Sequence, residues 1–341
     1  MPVNNLILVT GITGFLGAHV VHQLISAGYR VRGTTRTSKL TVVKEGFAQY
    51  GSNFEVATID DLAHGDYKSA LQGVKAVIHA ASPFTGSMPP APALEATIDG
   101  ALNLLSQAEQ SGIRKFVLVS SMATCGRFNE ETGNIEISDQ IWTSVSKEAA
   151  LGEPGENDHH LVYTTAKTLA ERAAWDFAEA HPHVDFTTGI FLTSFSIPLL
   201  PADNPPTLSS NALLYDLLRA DGPPLFAPAF LDVRDCAMGI VNALTAPPTS
   251  EVGKKRIVLS GEWISGKDVV ELLSQVRPEL KDRLSKAAFD SAPAPISPVD
   301  NTRAQEILKV NIKGWKEAVV DSVDDLLKLE AEWKAKGLIP N

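Results

Sequence analysis

Over the first 120 positions, apolar residues fall into short runs separated by polar, glycine-containing breaks. Five runs read as buried strands: Leu6–Thr10, Tyr29–Gly33, Phe54–Ile59, Ala76–Ala80 and Lys115–Val119. Between the first two, Val20, Val21, Leu24 and Ile25 recur at helical spacing, and Gly28 stands where a helix C-terminal glycine is expected. Further helices are predicted near 66–72 and 91–111. Strands and helices alternating at these lengths predict an α/β fold with a parallel, doubly wound Rossmann sheet. Ligands in such sheets bind beyond the carboxyl ends of the strands.

The pattern then changes. Ala166, Leu169, Ala170, Ala173, Ala174 and Phe177 mark a long helix, and Phe186–Leu192 a sixth strand. Prolines crowd between Pro198 and Pro228, and Ser291–Pro298 is a second proline-rich stretch. Proline removes backbone donors, so both read as loop, the first with a helix near 208–220. A strand at 256–260, a helix opened by the capping-box pair Ser265 and Asp268, and helices near 301–309 and 316–336 follow. Asp235 is expected to cap the helix after Leu231. The expected division is a nucleotide-binding sheet domain over 1–192, with returning segments near 229–260, and a mainly substrate-binding C-terminal lobe over 193–341. The polar segment between Gly126 and His160 is expected to shape the pocket from the other side.

The first strand runs into Gly11-Ile-Thr13-Gly14-Phe15-Leu16-Gly17 and then a helix. One glycine permits a tight turn, one lets backbone approach a pyrophosphate, and one lets helix and strand pack closely; the helix N-terminus adds free N–H groups. An NAD site usually places a carboxylate after the second strand, but no Asp or Glu occurs between Gly11 and Lys44. Arg36 and Lys39 stand there instead, and a guanidinium suits a 2′-phosphate, so NADPH is the expected cofactor. Asp61 and Leu62 follow the third strand, where an adenine edge is bracketed. Ala80, Ala81 and Ser82 follow the fourth, and Leu192 ends the sixth.

Tyr163 and Lys167 lie four apart on the long helix, so a phenol and an ammonium share one face. A nearby cation favours the ionised phenol. Ser121, at the end of the fifth strand, is 42 positions from Tyr163 (163 minus 121), yet the fold can bring both to one rim. His79, beside the same rim, reads as a satisfied core residue.

Together the glycine turn, His79–Phe84, Val119–Ser121, the Tyr163/Lys167 pair and Leu231–Ala237 resemble an extended short-chain dehydrogenase/reductase. The resemblance is strongest to the yeast and fungal NADPH-dependent carbonyl, aldehyde and methylglyoxal reductases, next to plant dihydroflavonol 4-reductases. It implies that Ser121, with Ser120 as the alternative, Tyr163 and Lys167 are catalytic. Tyr163 would donate a proton to a ketone or aldehyde, and Lys167 would hold the nicotinamide ribose and lower the phenol's pKa. Phe84, Met122 and Phe195 would join Ser121 and Tyr163 around the substrate. The sequence departs from the family at Phe191-Leu192, where Asn-Pro is usual. An epimerase or dehydratase acting on sugar nucleotides, a steroid-type dehydrogenase/isomerase and a non-enzymatic NADP sensor are the rival readings.

A formal net charge of −10 argues against nucleic acid or anionic membrane as a partner. No stretch approaches the roughly 20 apolar residues of a spanning helix. The first strand begins at once, so no leader is expected, and a cytoplasmic location follows by exclusion. Cys125 and Cys236 are too few for a disulfide framework, and no metal-ligand spacing occurs. A monomer and a homodimer both remain open.

Overall fold

The structure, a computed structural model, describes residues 5–83, 86–128, 135–191, 194–195, 199, 208, 210–225, 230–291 and 299–339. Its strands are β1 (Leu6–Thr10), β2 (Arg30–Thr35), β3 (Phe54–Thr58), β4 (Val74–His79), β5 (Lys115–Ser121), β6 (Gly126–Phe128), β7 (Ile135–Ile137), β8 (Asp185–Phe191), β9 (Ser194–Phe195), β10 (Leu231–Asp232) and β11 (Lys255–Leu259). The early helices are α1 (Phe15–Ser26), α2 (Leu40–Gly46), α3 (Pro90–Gln110), α4 (Lys147–Leu151), α5 (Glu153–Asn157) and α6 (His159–Ala180). The later ones are α7 (Asn211–Asp216), α8 (Val233–Asn242), α9 (Thr249–Val252), α10 (Gly266–Val276), α11 (Lys286–Phe289), α12 (Thr302–Leu308) and α13 (Trp315–Ala335).

Seven strands form one parallel sheet in the order β11-β8-β5-β4-β1-β2-β3. Every residue of β1 and of β11 is buried, as a sheet covered on both faces requires. On one face Val20, Val21 and Leu24 of α1 pack with Cys236 and Ile240 of α8 and Ile307 of α12. On the other, Leu104 and Leu105 of α3 pack with Ala174 and Trp175 of α6. The strand order reverses between β1 and β4, which places the ligand crevice beside the glycine turn. The expected doubly wound Rossmann sheet is present.

A separate apolar core joins Leu214 of α7, Val269 and Leu273 of α10, and Val319, Val323 and Leu326 of α13. Helix α10 opens with the expected capping box: Ser265 Oγ accepts from the Asp268 N–H at 3.1 Å, and the Asp268 carboxylate accepts from the Ser265 N–H at 2.7 Å. Two short sheets are also present: β9 pairs with β10 in parallel and β6 with β7 in antiparallel register.

Three details differ from expectation. Residues 66–72 form turns rather than a helix: Asp66 accepts from the Lys68 N–H at 2.8 Å, and the Tyr67 N–H donates to Gln107 at 2.8 Å. Side chains there take donors that a helix would have used. The helix expected near 208–220 is confined to Asn211–Asp216. The cap of α8 is Asp232, which accepts from the Arg234 N–H at 2.8 Å, while Asp235 reaches across to the Lys313 N–H at 2.8 Å.

Candidate active site

The rim at the carboxyl ends of β1, β4, β5 and β8 collects most of the residues singled out from the sequence. Gly11 turns the chain with φ +73°, and a Cβ added there would lie 2.6 Å from the Ala81 nitrogen. A Cβ on Gly17 would overlap the Gly11 carbonyl. Gly14 donates to the Gly11 carbonyl at 2.9 Å and serves as N-cap of α1. The next main-chain donor into α1 is the Ala18 N–H, to Gly14, so the N–H groups of Phe15, Leu16 and Gly17 have no helical acceptor. Thr13 and Gly14 are exposed above them. This is an anion cradle that side chains would fill.

Ala80 and Ala81 wall the cradle on the β4 side. The Ala81 N–H donates to Thr10 Oγ1 at 3.1 Å, and Thr10 Oγ1 lies 2.7 Å from Nδ1 of buried His79. Burial, and then the nearby Lys167 charge, push the His79 pKa down to about 3, so the ring is neutral. His79 is the satisfied core residue expected of it. The Ser82 hydroxyl is buried and has no hydrogen-bond partner, a donor left over for a ligand.

Arg36 and Lys39 are both exposed beyond β2. Beside them Asp60, at the end of β3, accepts from the Thr37 N–H and hydroxyl, both at 2.7 Å. Those bonds, with the Arg36 charge, hold the Asp60 carboxyl below the usual range. Asp61 instead closes its own turn, accepting from the Ala63 and His64 N–H groups at 2.8 and 3.1 Å. The Leu62 carbonyl accepts from Asn103 at 3.1 Å.

Asp158 caps α6 by accepting from the His160 and Leu161 N–H groups at 2.9 and 3.1 Å, which starts the helix four residues before Tyr163. Tyr163 is half-buried and faces Ser121. Desolvation raises the phenol's pKa, and the Ser121 hydrogen bond opposes that rise. In this state the phenol keeps its proton at neutral pH. The Lys167 Nζ donates to the Val119 carbonyl at 2.7 Å. Burial depresses the Lys167 pKa to about 8, against an upward pull from Glu171. Ser121 Oγ also accepts from the Ala123 N–H at 3.3 Å, capping the turn that carries Met122. Met122 is half-buried against Cys125, Ile137, Ile190 and Val258. Phe84, Leu192 and the Phe195 side chain lie outside the described residues.

The profile of the NAD dependent epimerase/dehydratase family matches residues 7–258. The chain belongs to this family. Among curated proteins it is 28% identical to Aldehyde reductase 2 of Sporidiobolus salmonicolor, over 97% of this chain and 97% of that one. It is 29% identical to Ketoreductase azaE of Aspergillus niger, over 94% of this chain and 97% of that one. Among solved structures it superposes on the yeast methylglyoxal/isovaleraldehyde reductase Gre2, complexed with NADPH, with TM-score 0.81. That match covers 96% of this chain and 99% of the other at 23% identity. The resemblance to extended short-chain dehydrogenase/reductases is borne out.

Two residues of this epimerase/dehydratase family member escaped the sequence reading. Glu171 and Arg256 are buried and paired at 3.0 Å directly behind the Ser121–Lys167 group. A signal was present: Glu171 lies one turn past Lys167 on the same face of the helix, between Ala170 and Ala174. Among the described residues no cluster of His, Cys, Asp or Glu could hold a metal, and no helix is long and apolar enough to cross a membrane.

Proposed function

We propose that the protein is an NADPH-dependent reductase that converts a ketone or aldehyde to an alcohol in the cytoplasm. The observation that carries this reading is the convergence of Ser121, Tyr163 and Lys167 at the rim that also holds the glycine cradle. The names of the relatives support it, as does the missing carboxylate after β2.

The residues present fit a dinucleotide. The α1 N–H groups and the side-chain-free turn would hold the pyrophosphate, Ser82 offers an unused hydroxyl, and Arg36 with Lys39 would face the 2′-phosphate. Asp61 and Leu62 would border the adenine and Lys167 the nicotinamide ribose. Bound NADPH supplies the hydride. Tyr163 then gives its proton to the carbonyl oxygen as negative charge develops there. Ser121 donates a second hydrogen bond that strengthens with that charge. The ammonium of Lys167, one turn away, favours the phenolate left behind. In this division of labour residues 1–192, with the returning segments near 229–260, hold the cofactor, and the rest of 193–341 mainly binds a small carbonyl compound.

NADPH consumption against a panel of ketones, aldehydes and a nucleotide sugar tests the reading. Turnover of simple carbonyl compounds is expected. Faster turnover of the nucleotide sugar would favour the epimerase or dehydratase alternative, and cofactor binding without turnover of any compound would favour a sensor.

A further inference from the structure

A buried carboxylate needs donors at each of its lone pairs, or its burial is strongly unfavourable. Glu171, on the buried side of α6, is only 1% exposed and lies within hydrogen-bond distance of four donor groups. Oε2 accepts from Ser120 Oγ and Thr124 Oγ1, each at 2.7 Å. Oε1 accepts from Thr188 Oγ1 at 2.8 Å and from Arg256 Nε at 3.0 Å. Arg256 is itself buried on β11. Its Nη1 donates to the carbonyls of Asp139 and Ile141 at 2.8 and 2.6 Å, and its Nη2 to that of Thr124 at 3.1 Å. Trp142 covers the guanidinium face, 3.8 Å from Cζ to the ring centroid.

The consequence is a three-point grip. At successive turns α6 presents Tyr163, Lys167 and Glu171, and each meets the end of β5. The phenol faces Ser121, the ammonium bonds the Val119 carbonyl, and the carboxylate bonds the Ser120 hydroxyl. A slide of α6 by one residue would break all three at once.

We propose that Glu171, anchored by Arg256, is a positioning residue for the reduction: it sets the register of α6 on β5, so that Tyr163 meets Ser121, and it supplies the negative charge that faces Lys167. The proposal rests on the reductase reading above. Among the described residues the titratable or charged groups around Lys167 are Tyr163 and Glu171 on its own helix, neutral His79 on β4 and Arg256 on β11 behind Glu171. From α3, Leu94 adds only apolar contact to the neighbouring Val162 and Ala166. From β5 come a carbonyl and hydroxyls.

The test compares Glu171→Gln, Glu171→Asp and Arg256→Met with the unmodified protein. The measurements are kcat/KM for a turned-over carbonyl compound, NADPH affinity by fluorescence titration across pH 6–10, and melting temperature. Glu171→Gln keeps two acceptor sites but removes the charge and leaves Arg256 facing Lys167. Its alkaline limb, in both kcat/KM and NADPH affinity, should move down by about one pH unit. Its kcat at neutral pH should fall tenfold or more, an order-of-magnitude expectation for a misplaced proton donor. Glu171→Asp should restore the position of the limb, and Arg256→Met, which leaves the carboxylate, should shift it upward. A lowered melting temperature with an unmoved limb in Glu171→Gln would overturn the proposal, as would limbs moving the same way in Glu171→Gln and Arg256→Met. Should Glu171→Gln fail to fold, the direction of the Arg256→Met shift decides. If the unmodified protein turns over no carbonyl compound, the reductase reading fails, while the pH dependence of NADPH affinity still reports on Lys167.

Discussion

The Lys167 ammonium donates to the main-chain carbonyl of Val119 at 2.7 Å, two residues before Ser121 on the same strand. The cation is therefore fastened to the strand that carries Ser121, which ties α6 to β5 at this point. One proton of the ammonium is committed to this bond, which leaves two for other acceptors, the ribose of the proposed cofactor among them.

Tyr163→Phe removes only the hydroxyl that faces Ser121. Proton transfer from a positioned group is worth roughly 10²- to 10⁴-fold, so kcat should fall by that factor while NADPH binding survives. Lys167→Ala should be comparably damaging and should also weaken NADPH. The double variant should be little worse than the worse single one, because both groups serve one step. Single-turnover rates with NADPH fluorescence titrations check this. Near-normal turnover by folded Tyr163→Phe would assign the proton to another group.

The depressed pKa of Lys167 has a sign that can be measured. In the folded chain it lies at about 8, below the ordinary 10.5, so between these values the unfolded chain binds more protons. Stability from this residue therefore rises as pH climbs through that window. NADPH affinity should do the opposite, declining above about pH 8 as the ammonium is lost. Urea unfolding and cofactor titration at pH 7 and 9.5, each against Lys167→Met, should show the two trends, and both should vanish in the variant.

Arg36→Ala should weaken NADPH use by about 10- to 100-fold and leave NADH nearly unchanged, the range expected for one charge-assisted hydrogen bond. Asp60 complicates the loop, because its carboxylate already occupies the Thr37 N–H and hydroxyl beside Arg36. Steady-state kinetics with both cofactors give the answer. Equal use of NADH and NADPH by the unmodified protein would remove Arg36 from the site.

His79 should make the fold sensitive to acid. Its folded pKa of about 3 lies below the ordinary 6.5, so the unfolded chain takes up the proton first and stability falls as pH drops below 6.5. The loss is about 1.4 kcal/mol per pH unit well inside that window. His79→Asn can keep an acceptor for Thr10 and has no proton to gain. Unfolding free energies at pH 7 and 5 should differ less for the variant than for the unmodified chain.

Local features were legible in the sequence and distant ones were not. The glycines and helix start of the cradle lie within Thr10–Ala18, so spacing alone reveals them, and Tyr163 and Lys167 need only one helical turn. Arg256 lies 85 positions from Glu171, and nothing in either neighbourhood names the other. The α8 cap was placed three residues late because both acids stand beside the helix start. Only the fold shows that Arg234 wraps back onto Asp232 at 2.5 Å while Asp235 is drawn to a backbone 78 positions away. The turns at 66–72 were hidden for the same reason, since Gln107 supplies the acceptor from α3.

The apolar layer behind β1 joins Ile7, Val9 and Val20 to Cys236, Ile240, Ile257, Ile307 and Val310. Nearly the whole polypeptide must therefore leave the ribosome before this layer can close. Until then the strand that leads into the cradle keeps one greasy side uncovered, a long-lived invitation to chaperones or to clumping. Shortening the chain after the sixth sheet strand would not release a free-standing nucleotide module. It would remove α8 and β11, and with them part of the apolar layer against which α1 and β1 pack.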